Sequence, residues 1–89
     1  MAKYTAEQYF ADKKRLEELI DKKLQYVSQD VHTYRCTYRD TDLAITVNFY
    51  LSKRSVTITS ESYKTVPYTL RKLTWRGIEA TINNLWKFV

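Results

Sequence analysis

The sequence predicts an α+β fold in which two amphipathic helices pack on one face of a three-stranded antiparallel β-meander, in the order α-β-β-β-α. Three observations predict this order: a helical apolar stripe near the N-terminus, a two-residue alternation that begins near residue 31, and a second helical stripe towards the C-terminal end. The chain has 89 residues, of which 44% are apolar and 28% charged. These values are typical of one small folded domain, so we expect a single domain over residues 1–89.

The first helix begins with a capping box formed by Thr5 and Gln8. Apolar residues then recur at steps of three and four, which extends the predicted helix to about Ser28. The members of this stripe are Tyr9, Leu16, Ile20, Leu24 and Val27.

Three strands follow, because apolar and polar residues alternate from Val31 onwards. Tyr34, Cys36 and Tyr38 mark the inward side of the first strand, and Leu43 to Leu51 alternate in the same way along the second. Val56 and Ile58 give a third strand with fewer apolar residues, which is typical of an edge strand. An antiparallel meander commonly leaves one face in water. That face is predicted to carry Arg35, Arg39, Thr46, Asn48, Tyr50, Thr57 and Glu61.

The second helix follows Pro67, which disfavours helix at Val66. Its apolar stripe consists of Trp75, Ile78, Ile82, Leu85, Trp86 and Val89. Two starts are compatible with the pattern: Thr69 caps the helix, or residues 68–73 form a short extended segment before it.

The predicted element order resembles that of the double-stranded-RNA-binding domain, and the resemblance covers most of the chain. Arg71 and Lys72 are similar to the basic cluster that opens the last helix of that family. Residues 40–42, Asp-Thr-Asp, stand where that family has a Gly-Pro-x-His loop after its first strand. The resemblance implies binding of RNA through a basic surface.

Residues that support catalysis are scarce. The single His32 and single Cys36 lie four apart on one predicted strand, roughly 13 Å between Cα atoms, which is too far for a nucleophile and its base. The single glycine excludes glycine-rich phosphate loops. Asp40 and Asp42 fit turn residues better than metal ligands. We therefore expect a non-enzymatic protein without a metal or cofactor.

The expected location is the cytoplasm. One cysteine permits no intramolecular disulfide, which favours a reducing compartment. The first residues lack the basic and then apolar pattern of a signal peptide, and no stretch reaches the roughly 18 apolar residues of a membrane span.

Positive charge is concentrated in the second half of the chain. Residues 1–30 contain six Lys/Arg and six Asp/Glu, and residues 31–49 contain two of each, so the net charge of +5 arises from residues 50–89. The cations there are Lys53, Arg54, Lys64, Arg71, Lys72, Arg76 and Lys87, against Glu61 and Glu79. This asymmetry favours a polyanion or an acidic partner, although a solubilising surface charge is the alternative.

The expected function is that of a small basic binding protein of the inhibitor or adaptor type, which docks on an acidic or nucleic-acid-handling protein. In size and absence of motifs it is similar to the small inhibitors of phages and mobile elements, anti-CRISPR proteins among them. The alternative is direct binding of double-stranded RNA, single-stranded DNA or duplex DNA. A monomer and a homodimer both remain open. Either function is expected to use Lys53, Arg54, Lys64, Arg71, Lys72 and Arg76, with Arg35, Arg39 and Tyr50 on the open sheet face.

Overall fold

The computed structural model describes residues 3–61 and 67–88 and arranges them as a helix, five strands and a helix that continues into a 3-10 turn. The helices are α1 (Ala6–Ile20) and α2 (Trp75–Asn83), and the 3-10 turn is Leu85–Phe88. The strands are β1 (Gln25–Asp30), β2 (Arg35–Asp40), β3 (Ile45–Tyr50), β4 (Ser55–Ser60) and β5 (Tyr68–Leu70). They form one antiparallel sheet in the order β1-β2-β3-β4-β5. The α+β class is confirmed, and the predicted three strands are corrected to five.

The additional first strand exists because α1 ends at Ile20 and not near Ser28. Both halves of its Thr5 capping box are present at the other end. Asp21 ends the helix in the left-handed conformation, with φ 42° and its N–H bonded to the Glu17 carbonyl. Glycine usually occupies this position, so no residue type marks the stop. Val27, which fitted the helical stripe, instead forms a β-bulge in β1 between its neighbours.

The additional last strand, β5, decides where α2 begins. Residues 68–70 are extended, and Thr69 lies opposite Thr57 of β4. The Thr74 hydroxyl then caps α2 by accepting the Gly77 N–H. The extended alternative is therefore confirmed and the Thr69 cap is wrong. Because β5 pairs with β4, β4 is an interior strand, which corrects its predicted place at the edge.

The hairpins from β1 to β4 are regular: each of these strands starts ten residues after the one before it. Each connecting loop ends with a residue in the left-handed region, Tyr34, Ala44 and Arg54, with φ of 53°, 54° and 52°. This constant loop length aligns the strands in rows. Arg35 thus lies opposite Tyr50, and Tyr50 lies opposite Ser55.

The core lies between one sheet face and both helices. Its members are Tyr9, Leu16, Ile20, Leu24, Cys36, Tyr38, Ile45, Val47, Phe49, Leu51, Val56, Ile58, Ile78, Ile82 and Leu85. The buried Tyr9 hydroxyl ties α1 to the sheet, because it donates to the Arg35 carbonyl at 2.9 Å. Since the strand residues of this core share one face, both helices lie on that side and the opposite face is left open.

Candidate functional site

The open face of the sheet carries polar side chains in three rows across the strands. The middle row consists of Ser28, Thr37, Asn48, Thr57 and Thr69. Within it the Thr37 hydroxyl donates to Asn48 Oδ1 at 2.6 Å. This face therefore carries hydroxyl and amide groups on paired strands, with Thr37 itself buried.

At one end of this face lies an open concavity of about 500 Å³, which we call the Tyr50 cradle. The side chains that line it are Tyr50, Lys53, Ser55, Thr57, Thr69, Arg71 and Lys72. Four of the nine predicted site residues meet here: Tyr50, Lys53, Arg71 and Lys72. Thr57 belongs to the predicted open face, whereas Ser55 and Thr69 were not predicted. The alternation around Thr57 could have identified Ser55, two residues earlier on the same strand, but Thr69 lies on the separate strand β5.

A long-range hydrogen bond assembles the cradle from separate parts of the chain. The Leu73 N–H donates to the Arg54 carbonyl at 2.8 Å, which joins the segment after β5 to the β3–β4 loop. Lys72 adopts φ 53° and thereby ends the extended segment. Arg71 and Lys72 consequently lie beside Lys53, although they are about 18 residues apart in the chain.

The cations of the cradle are exposed and lack a carboxylate partner within residues 3–61 and 67–88. The ion pairs in those ranges are Lys13–Glu17, Arg39–Glu61 and Arg54–Asp12. The positive charges of Lys53, Arg71 and Lys72 are therefore not neutralised by these pairs. Beside them, the hydroxyls of the cradle supply further donors and acceptors.

Arg35 borders the cradle through its cross-strand neighbour Tyr50. Its Nε atom is buried and has no hydrogen-bond partner in the described part of the chain. Asp30 lies opposite Arg35 on β1 but forms no ion pair with it, and its carboxylate accepts the His32 N–H at 2.9 Å. A buried donor without a partner costs free energy, and because this atom is inaccessible it is not itself a ligand contact.

The other predicted site residues lie elsewhere. Arg54 is on the helix side, where it binds Asp12 at 3.2 Å and stacks over Trp75 at 4.3 Å. Arg39 is on the open face but at the end away from the cradle, paired with Glu61 at 2.7 Å. Arg76 is exposed in the first turn of α2 and does not line the cradle. Lys64 lies outside the described residues.

The two side chains with potential for nucleophilic catalysis, Cys36 and His32, do not line the cradle. Cys36 is fully buried, and burial raises the pKa of its thiol to about 12, so it remains protonated at neutral pH. His32 is exposed in the β1–β2 loop. In the part of the chain that the structure describes, no three His, Cys, Asp or Glu side chains are grouped to hold a metal ion. No helix there has the length and apolar character needed to cross a membrane.

No known protein family, curated protein or solved structure matches this chain significantly. The resemblance to the double-stranded-RNA-binding domain depended on three strands between two helices, and the observed sheet has five.

Proposed function

We propose that this protein is a non-enzymatic nucleic-acid-binding protein and that the Tyr50 cradle is its binding site. One observation supports this function above all. The exposed cations Lys53, Arg71 and Lys72, without ion pairs in the described chain, surround a tyrosine and three hydroxyls on a polar sheet face. Lysine and arginine provide the phosphate contacts of nucleic-acid interfaces, and aromatic side chains stack on bases.

The polarity of the cradle favours nucleic acid over an acidic protein surface. Protein interfaces derive most of their affinity from a desolvated centre of aromatic and aliphatic side chains. Here Tyr50 is surrounded by Ser55, Thr57 and Thr69. Protein–nucleic acid interfaces are more polar and more positively charged, as this site is.

An inhibitor or adaptor function is the second candidate, and a different part of the surface favours it. Phe10 on α1, and Tyr26 and Val27 on the edge strand β1, are about half exposed, at 49%, 48% and 51%. Exposed aromatic side chains of this kind are enriched where proteins bind proteins. Such a protein would act like phage-type inhibitors, anti-CRISPR proteins for example, by docking on a nucleic-acid-handling enzyme. Both candidate functions suit the cytoplasm.

Fluorescence anisotropy distinguishes these functions. Labelled single-stranded DNA, duplex DNA and duplex RNA are titrated with protein at about 50 mM and about 200 mM salt. Three phosphate contacts to a single strand predict a loss of affinity of about twentyfold between the two salt concentrations. The triple variant Lys53→Ala/Arg71→Ala/Lys72→Ala is expected to bind at least about tenfold more weakly at the lower salt.

The matched control is Lys3→Ala/Lys14→Ala/Lys22→Ala, which removes the same charge from exposed positions outside the cradle. It is expected to retain most of the affinity. Equal losses in the two triple variants would contradict the cradle as the site. Absence of binding to all three nucleic acids would overturn the proposed function in favour of a protein partner.

A further inference from the structure

Tyr50 differs from the other described tyrosines in the surroundings of its ring. The tyrosines at positions 4, 9, 26, 34, 38 and 68 each pack against another aromatic ring. Among residues 3–61 and 67–88, Tyr50 has neither an aromatic neighbour nor a cation stacked over its ring. The Tyr50 side chain is half-buried and lines the cradle, so the part of its ring that faces the cradle has no aromatic or cationic partner in the described chain.

A base reaches this ring only if it is not already stacked in a helix. In a duplex both faces of each base are covered by neighbouring pairs, so a protein contacts only base edges and the backbone. A single strand presents unstacked bases, which proteins bind on aromatic side chains. The hydroxyls of Ser55, Thr57 and Thr69 beside the ring suit hydrogen bonds to the edge of such a base.

The distribution of charge over the open face also suits a short single strand. Lys53, Arg71 and Lys72 lie near Tyr50 without an ion pair in the described chain. At the opposite end Arg39 is paired with Glu61, and the cations beside it, Lys22 and Lys23, share a concavity with Asp40 and Asp42. A duplex would place two phosphate backbones on the face, separated by a groove of about 6 to 12 Å. Only one of them would meet the cradle cations, so one backbone matches the charge better than two.

We infer that the cradle selects single-stranded over double-stranded nucleic acid by stacking one unpaired base on Tyr50. Lys53, Arg71 and Lys72, which line the cradle around this ring, hold the adjacent phosphates. This inference rests on the proposed function, since it specifies the form of nucleic acid bound at that site.

The test compares one labelled single strand of about 12 nucleotides with a hairpin duplex of similar length, at low salt. The wild-type protein is expected to bind the single strand at least about tenfold more tightly. Tyr50→Leu should lose about tenfold in affinity for the single strand and little for the duplex, because one base stack is removed. Tyr50→Phe keeps the ring and should remain within about twofold of the wild type.

Tyr68→Leu is the matched control, because Tyr68 is exposed but packs against Phe88 and lies outside the cradle. It should leave the affinity unchanged, and thermal melts of all variants report folding. Equal weakening by Tyr50→Phe and Tyr50→Leu would overturn stacking, since the ring would not be the group that matters. Duplex binding as tight as single-strand binding, lost in the cradle triple variant, would overturn the selectivity and leave the proposed function intact. Absence of binding to either probe would overturn the proposed function itself.

Discussion

The two faces of the sheet use their cations differently, and the neighbouring residues Lys53 and Arg54 show the contrast most clearly. Arg54 points to the helix side, where it pairs with Asp12 and stacks over Trp75. Arg15 stacks over the same indole at 4.5 Å. Lys53 lines the open cradle and takes part in none of the ion pairs of the described chain. A charge that is paired and stacked supports the fold, so the cations without such partners are the ones to test for binding.

The largest expected effect is a loss of stability at high pH. It arises from Cys36, whose protonated thiol is buried on the sheet face that the helices cover. Burial raises the pKa of this thiol from 9.0 to about 12. Its stabilising contribution is therefore complete below pH 9 and is lost as the pH rises towards 12, because the unfolded chain releases the proton first. One such group lowers the free energy of unfolding by about 1.4 kcal/mol per pH unit in that interval.

Urea unfolding measured across this pH range checks the prediction, with Cys36→Ala as the comparison. The free energy of unfolding of the variant should decline less steeply than that of the wild type. Burial also raises the pKa of Tyr9 and Tyr38, so part of the alkaline decline should persist in the variant. Parallel curves for the two proteins would contradict a buried, protonated thiol.

The next largest effect is a loss of stability that we expect for Arg54→Ala but not for Lys53→Ala. Arg54→Ala removes the ion pair and the indole stack. It leaves Asp12, whose side chain is 19% exposed, with the Tyr4 hydroxyl at 2.6 Å as its remaining side-chain partner among residues 3–61 and 67–88. We expect a loss of about 2 kcal/mol in the free energy of unfolding. Lys53→Ala should change it by less than about 0.5 kcal/mol, because this side chain is exposed.

Denaturant unfolding and anisotropy on the same two variants test this contrast. Arg54→Ala should lower the free energy of unfolding and leave the nucleic-acid affinity of the folded protein nearly unchanged. Lys53→Ala should lower the nucleic-acid affinity and leave the free energy of unfolding nearly unchanged. The reverse pattern would show that the two residues have been assigned to the wrong faces.

The sequence predicts most of the strand residues that face the helices, but it does not predict how the cradle is assembled. Alternation identifies which residues of β2, β3 and β4 face inwards, and it places Arg35, Arg39 and Tyr50 together on the open face. Asp21 and Lys22 adopt left-handed conformations without glycine, so periodicity continued the helix through residues that form β1. The hydrogen bond from the Leu73 N–H to the β3–β4 loop joins distant parts of the chain, so no local sequence pattern predicts it.

The smallest expected effect sharpens the contrast between the two ends of the open face. The exposed pair of Arg39 and Glu61 contributes little to stability, as is usual for surface ion pairs, but it neutralises a cation on the face. Glu61→Gln should free Arg39 for a phosphate and increase single-strand affinity by about two- to threefold at low salt, with the free energy of unfolding within about 0.5 kcal/mol of the wild type. Glu79→Gln is the control, because it changes the net charge equally from an exposed position on α2 outside the cradle. If both substitutions increase affinity to the same extent, the gain reflects overall charge; a gain confined to Glu61→Gln means that the pairing of Arg39 limits the binding site to the Tyr50 end.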